Sequence, residues 1–199
     1  MKSLIRKLKR NFFEKEVYLK VYEPRKKTVP EKTIPVTTAW KGLELIIEDI
    51  LNRFDVNRGS CIEFGVEFGF SSVVFSNYFE KVTGIDTFIG DEHTVHKGDH
   101  YDKTKQSLIG FENIELVQSD YKDWIKKDTN QYDFAHVDIV HNYKETYECG
   151  LWAVQHSKCC IFHDTESFPE VRRAVFDIAK NTGKTAYNYP YHYGLGIIA

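Results

Sequence analysis

The stretch Glu63-Phe-Gly65-Val-Glu67-Phe-Gly69-Phe-Ser71-Ser72 links a short apolar run, 60–64, to a segment with helical spacing, 71–79. Gly65 and Gly69 allow a tight turn and a close backbone approach, and Ser71 or Ser72 can cap the following helix. Strand, glycine turn and helix in that order open a nucleotide-sized crevice in an α/β sheet. Downstream the same alternation repeats. Strand-like runs at 81–85, 114–118, 132–137 and 158–162 are separated by helical patterns at 101–108, 121–127 and 143–156. Such alternation predicts a parallel, doubly wound sheet. A last helix is expected from Pro169, an N1 residue behind Ser167, to about Thr182, followed by runs at 184–189 and 194–199. Too few residues separate those two runs for a crossover, so they must pair antiparallel. The expected fold is a seven-stranded, mostly parallel Rossmann-like sheet with a C-terminal antiparallel hairpin.

Upstream, Trp40, Leu43, Ile46, Ile47, Ile50 and Leu51 line one helical face behind Thr38, a candidate N-cap, so the folded domain is expected to span 38–199. Pro24, Pro30 and Pro35 make 21–37 an extended linker. In 3–20, Leu4, Ile5, Leu8 and Phe12 fall at helical spacing among Lys2, Arg6, Lys7, Lys9 and Arg10. This basic amphipathic helix packs on the domain or on a second subunit of a homo-oligomer, or it makes a peripheral contact with an anionic surface.

The 199 residues suit one domain, and 42% hydrophobic with 28% charged residues is ordinary globular usage. A net charge of −2 gives no general attraction to phosphate backbones, so no nucleic-acid partner is expected. Cys61, Cys149, Cys159 and Cys160 form no C-x-x-C pair and read as buried free thiols of a cytoplasmic protein. No continuous apolar stretch forms a signal peptide or a transmembrane segment.

Asp86 ends the second run 21 positions after Gly65, where an acidic side chain can meet ribose hydroxyls. A dinucleotide fingerprint, however, needs glycine where Glu67 stands. S-adenosylmethionine carries no phosphate and has a cationic ammonium and sulfonium, which Glu63 and Glu67 suit electrostatically. Ser119 and Asp120, after the third run, either reach the adenine edge or cap the next helix. Asp138 and His141 leave the fourth run, His163 and Asp164 the fifth, so all four are expected at carboxyl strand ends in the same crevice. Two carboxylates and a histidine can hold a divalent ion while a second histidine serves as base.

The segment His136-Val-Asp138 with His141 and Tyr143, then His163-Asp164-Thr165 and Val171-Arg172-Arg173-Ala174-Val175, resembles the class I S-adenosylmethionine-dependent methyltransferases grouped with the macrocin and mycinamicin sugar O-methyltransferases. The Glu63–Ser72 stretch resembles their first motif, and the likeness covers roughly 58–180. It implies O-methylation of a hydroxyl on a sugar or other small acceptor. Glu63, Gly65, Glu67, Gly69, Ser71, Ser72, Asp86, Ser119 and Asp120 would hold the donor. Asp138 and Asp164 would be metal ligands and His141 the base, with Asp138 beside it. His163 stands where metal-dependent members carry an acid, so the set Asp138, His163 and Asp164 suits magnesium less well and leaves manganese, or no metal, open.

Two further segments stand out. Residues 90–102 are rich in acid and histidine, with His93, His96 and His100, and read as a polar lid or a metal-binding loop. Tyr187, Tyr189, Tyr191 and Tyr193 around the final turn either stack on an acceptor or pack the hairpin. The competing functions are a catalytically silent binding module on the same fold and a nicotinamide-dependent oxidoreductase.

Overall fold

The computed structural model describes residues 17–90 and 98–199. A single sheet is built from β1 (Lys20–Val21), β2 (Ser60–Phe64), β3 (Lys81–Asp86), β4 (Ile114–Gln118), β5 (Tyr132–Val137), β6 (Ser157–His163), β7 (Ala186–Tyr189) and β8 (Leu195–Ile198). Its helices are α1 (Ile47–Arg53), α2 (Phe70–Ser76), α3 (Tyr101–Ser107), α4 (Tyr121–Ile125), α5 (Tyr143–Gln155) and α6 (Pro169–Thr182).

The strand order is β1-β7-β8-β6-β5-β2-β3-β4. From β2 the chain steps outward through β3 and β4, then returns to place β5 on the other side of β2. The crevice between β2 and β5 is therefore the topological switch point, where an open α/β sheet binds ligands at its carboxyl edge. β8 lies antiparallel between β6 and β7, as the short final connection requires.

Successive side chains of a strand point to opposite faces, and here both faces are covered. Cys61, Phe134, Cys159 and Ile161 pack with α1 and α2 on one side. Their sequence neighbours Ile62, Ala135, Cys160 and Phe162 pack with α5 and α6 on the other. All four cysteines are buried and free, and burial pushes the Cys159 thiol up to about 12, so they behave as small core hydrophobes.

The seven expected strands are present, and Lys20–Val21 adds an eighth by pairing parallel with β7. The part of the 3–20 helix that lies within the described residues, 17–20, contains no helix and ends in β1; its remainder, including Leu4, Ile5, Leu8 and Phe12, lies outside them. Residues 21–37 lack helix, as their prolines predict, yet they are fastened to the domain. The Tyr22 hydroxyl donates to Asp49 at 2.6 Å, and Lys32 N–H donates to Asn77 at 2.7 Å. The helix expected behind Thr38 begins later, with one 3-10 turn over Glu44–Ile46 ahead of α1. Gly42 sits at φ +105°, with the His192 ring packed where a Cβ would stand, and this left-handed residue interrupts the helical run.

Candidate functional site

Gly65 makes the crevice by close packing. At φ +89° its missing Cβ would lie 1.7 Å from the Asp138 carbonyl oxygen, and Asp138 N–H donates to the Phe64 carbonyl at 2.8 Å. The glycine turn and the first carboxylate are therefore in direct backbone contact. Gly69, in the left-handed region, is the N-cap of α2. Ser71 and Ser72 fall inside that helix, so neither caps it: the helix starts one residue earlier than the sequence suggested. Ser72 instead donates to Glu63, whose other oxygen faces His136 Nδ1 at 2.9 Å, and the Trp40 indole N–H donates to His136 Nε2 at 3.2 Å. Glu63 and His136 are fully buried. Glu63, expected among the donor-binding residues, is turned inward and satisfied by this chain of polar groups, as a buried carboxylate must be.

Asp86 bridges the turn. One carboxylate oxygen accepts from Val66 N–H at 2.8 Å and Glu67 N–H at 2.9 Å, the other from Phe88 N–H at 2.7 Å. Glu67, at φ 50°, is half-buried, and its carbonyl accepts from Thr104. Two N–H groups of the turn are thus occupied by a carboxylate, leaving an acidic rather than an anion-binding surface. Asp120 accepts from Lys122 N–H as the N-cap of α4, so the capping role is the one seen; Ser119 donates to the Asp120 carbonyl.

Asp138, His141, His163 and Asp164 do come together at the ends of β5 and β6. His163 Nδ1 lies 3.1 Å from Asp138 and 3.2 Å from Asp164, and His141 Nε2 lies 2.9 Å from Asp164 and 3.5 Å from Asp138. The two imidazoles and two carboxylates form a closed ring of alternating charge. Burial works against charging either histidine, but attraction to the two carboxylates outweighs it, holding His141 up to about 9 and His163 up to about 10. Burial would raise Asp138 and Asp164, yet the histidines hold both below the ordinary carboxylate range. Asp164 itself adopts φ 65°, an unfavourable conformation for a residue with a side chain, and the loop behind it is secured by Thr165 and Glu166, both bonded to the buried Asn188 of β7.

Among the described residues, the group able to converge on one metal ion is Asp138, His141 and Asp164, with donor atoms within 4.8 Å of one another. The set expected from the sequence had His163 in place of His141. His163 lies inside the fold, with a side chain only 2% exposed, whereas that of His141 is 15% exposed. His100 is flanked by Phe68 and Phe88, with Nδ1 at 3.1 Å from the Gly98 carbonyl, while His93 and His96 lie outside the described residues. A groove of about 630 Å³ lined by Lys122, Tyr143, Lys144, Tyr147 and Glu148 contains none of the clustered acids and histidines, so the candidate site is assigned on the cluster.

Three supporting groups carry no local signal in the sequence. Trp40 bonds to His136, Phe168 stacks on His141 with centroids 4.3 Å apart, and Asn188 braces the Asp164 loop. Only the fold brings them near, since they come from distant segments.

No protein-family model matches the chain, and no curated protein matches it. Solved structures do share its fold. The O-methyltransferase of Bacillus cereus, in complex with S-adenosylhomocysteine, aligns with a TM-score of 0.54 at 13% identity over 85% of this chain and 84% of that one. TomG from Streptomyces achromogenes, an O-methyltransferase of tomaymycin synthesis in complex with S-adenosylmethionine, gives 0.56 at 14% identity over 82% and 80%. The TDP-rhamnose 3'-O-methyltransferase of calicheamicin biosynthesis gives 0.55 at 18% identity over 84% and 88%.

Proposed function

We propose that this chain, which has the Rossmann-like fold of these O-methyltransferases, is itself an S-adenosylmethionine-dependent O-methyltransferase acting on a hydroxyl of a sugar or other small acceptor. The observation that carries the reading is the contact between Gly65 and Asp138: it joins the glycine turn to the carboxylate–histidine cluster at one crevice. Occupation of the Val66 and Glu67 N–H groups by Asp86 supports this donor over a dinucleotide. A pyrophosphate would find those donors taken and a carboxylate in its place, whereas a cationic ligand gains from the same acid.

S-adenosylmethionine, when bound by the turn and the rim of β3 and β4, supplies an electrophilic methyl group. The chain's own contribution is alignment and a proton acceptor. His141, at the rim of the cluster, takes the proton of the acceptor hydroxyl, and Asp138 and Asp164 stabilise the imidazolium that results. Because the carboxylates hold His141 up to about 9, the imidazole becomes competent as a base as pH rises toward that value.

Asp138, His141 and Asp164 also fit a divalent cation such as manganese, which accepts an imidazole nitrogen among carboxylate oxygens more readily than magnesium does. Such an ion would add positive charge beside the acceptor oxygen. A nitrogen bound to it has no lone pair for a proton, so His141 serves as ligand or base, not both at once.

The test is methyl transfer from labelled S-adenosylmethionine to a pool of hydroxylated sugars and phenols, with and without manganese. Label in an ether product supports the reading. Donor binding without transfer to any member of the pool would favour a silent binding module.

A further inference from the structure

The turn between β7 and β8 holds two tyrosines outward under backbone strain. His192 at φ 54° and Tyr193 at φ 67° are consecutive side-chain-bearing residues in the left-handed region, which such residues avoid. Strain of this kind persists only where the surroundings fix it, and it clusters at functional sites. The surroundings here do fix it. The Tyr193 carbonyl accepts from Glu166 N–H at 2.9 Å and Ser167 N–H at 3.3 Å, and Gly194 N–H donates to the Tyr191 carbonyl at 3.1 Å. The His192 ring fills the space left by Gly42 and stacks on Tyr189 at 6.3 Å.

The four tyrosines of this hairpin therefore divide. Tyr189 is buried in the core and Tyr187 is half-buried, while Tyr191 and Tyr193 are 64% and 57% exposed. A large ring ordinarily gains by burial, so two held outside by a strained turn call for an explanation. Tyr193 meets His163 edge-on, with centroids 6.4 Å apart and planes at 82°. On the other histidine of the cluster, Phe168 stacks face to face with His141. Tyr193 and the buried Trp40 thus stand against His163, and Phe168 against His141. Tyr193 and Phe168 are also tied together, since the Tyr193 carbonyl is bonded to the segment that ends at Phe168.

The geometry points to Tyr193 as the acceptor platform of this site: its exposed ring takes the flat face of a hydroxylated ring, a pyranose or a phenol, and presents a hydroxyl to the cluster. Tyr193 is then a binding and specificity residue, and no hydrogen bond fixes its own hydroxyl among the described residues, leaving it available to an acceptor oxygen. This inference rests on the methyltransferase reading above, which supplies the need for an acceptor beside His141.

Phenyl β-D-glucopyranoside, which carries a hydroxylated pyranose and a flat aryl ring, is the probe. Its binding to the full chain is titrated calorimetrically with S-adenosylhomocysteine present, after the latter's own affinity has been measured. Tyr193→Ala is expected to weaken the glucoside at least about tenfold and Tyr193→Phe by less than about threefold, with S-adenosylhomocysteine affinity unchanged in both. Tyr193→Asn, whose side chain tolerates the left-handed backbone, removes the ring without stressing the turn and should match Tyr193→Ala. If the wild-type chain binds S-adenosylhomocysteine but not the glucoside, or if the ring-less variants bind the glucoside like wild type, the platform is overturned and the methyltransferase reading stands. Failure of S-adenosylhomocysteine itself to bind overturns that reading instead.

Discussion

At the scale of single residues, Gly65, His141 and the two carboxylates beside it shape the candidate site. Gly65→Ala places a methyl group 1.7 Å from a backbone oxygen at a φ that disfavours any side chain, so β2 and the Asp138 segment must separate. The expected loss lies at the upper end of the roughly 0.5–3 kcal/mol typical of single substitutions, measurable by urea unfolding. His141→Ala should lower methyl transfer by about 10²–10⁴-fold, the range of a general base, while S-adenosylhomocysteine still binds. Transfer at the wild-type rate would remove His141 from the chemistry. The histidines also predict a pH dependence of stability. Their folded values, about 9 and about 10, lie above the ordinary 6.5, so their contribution is complete below about pH 6.5 and is lost as pH rises through 9 to 10. Asp138→Asn weakens this pairing, and its melting temperature should fall less between pH 7 and 10 than that of the wild-type chain. A parallel fall in the two proteins would show that the cluster does not govern alkaline stability.

At the scale of elements, the segment before α1 matters more than its irregular backbone suggests. Trp40 reaches into the sheet to satisfy His136, and His136 in turn satisfies Glu63 beneath the glycine turn. Trp40→Phe leaves a buried acceptor without its donor, which costs about 1–3 kcal/mol. The loss should appear in chemical denaturation, and a variant as stable as wild type would mean that the polar chain is not needed to hold the turn. The sequence made β2, β4 and β5 legible to the residue because each is a short apolar run bounded by polar turns. It did not disclose β1, a two-residue strand whose Lys20 and Val21 carry no periodicity of their own and are ordered by pairing with β7. The delayed start of α1 was hidden for a related reason: the apolar spacing of Trp40 and Leu43 is helical, but Gly42 takes a left-handed turn that the His192 ring, from the other end of the chain, packs against.

For the whole molecule, the strand order puts the carboxyl ends of β2, β5 and β6 side by side, so residues from 65 to 164 meet at one edge. That convergence was legible from the order of strands and helices, because Asp138, His141, His163 and Asp164 each follow an apolar run. The direction of individual side chains was not. Glu63 is turned into the core by Ser72 and His136, Asp86 is turned onto the glycine loop, and His163 lies behind His141 rather than beside it at the rim. Each of these depends on partners from remote segments, which no local pattern records.

In the proposed function the crevice between β2 and β5 holds a cationic adenosyl donor and not a dinucleotide. Calorimetric titration of the full chain with S-adenosylhomocysteine, and separately with NADH, tests it most directly. Saturable binding of S-adenosylhomocysteine, weakened in Gly65→Ala, with no heat from NADH is the predicted result. NADH binding with no response to S-adenosylhomocysteine would contradict the account.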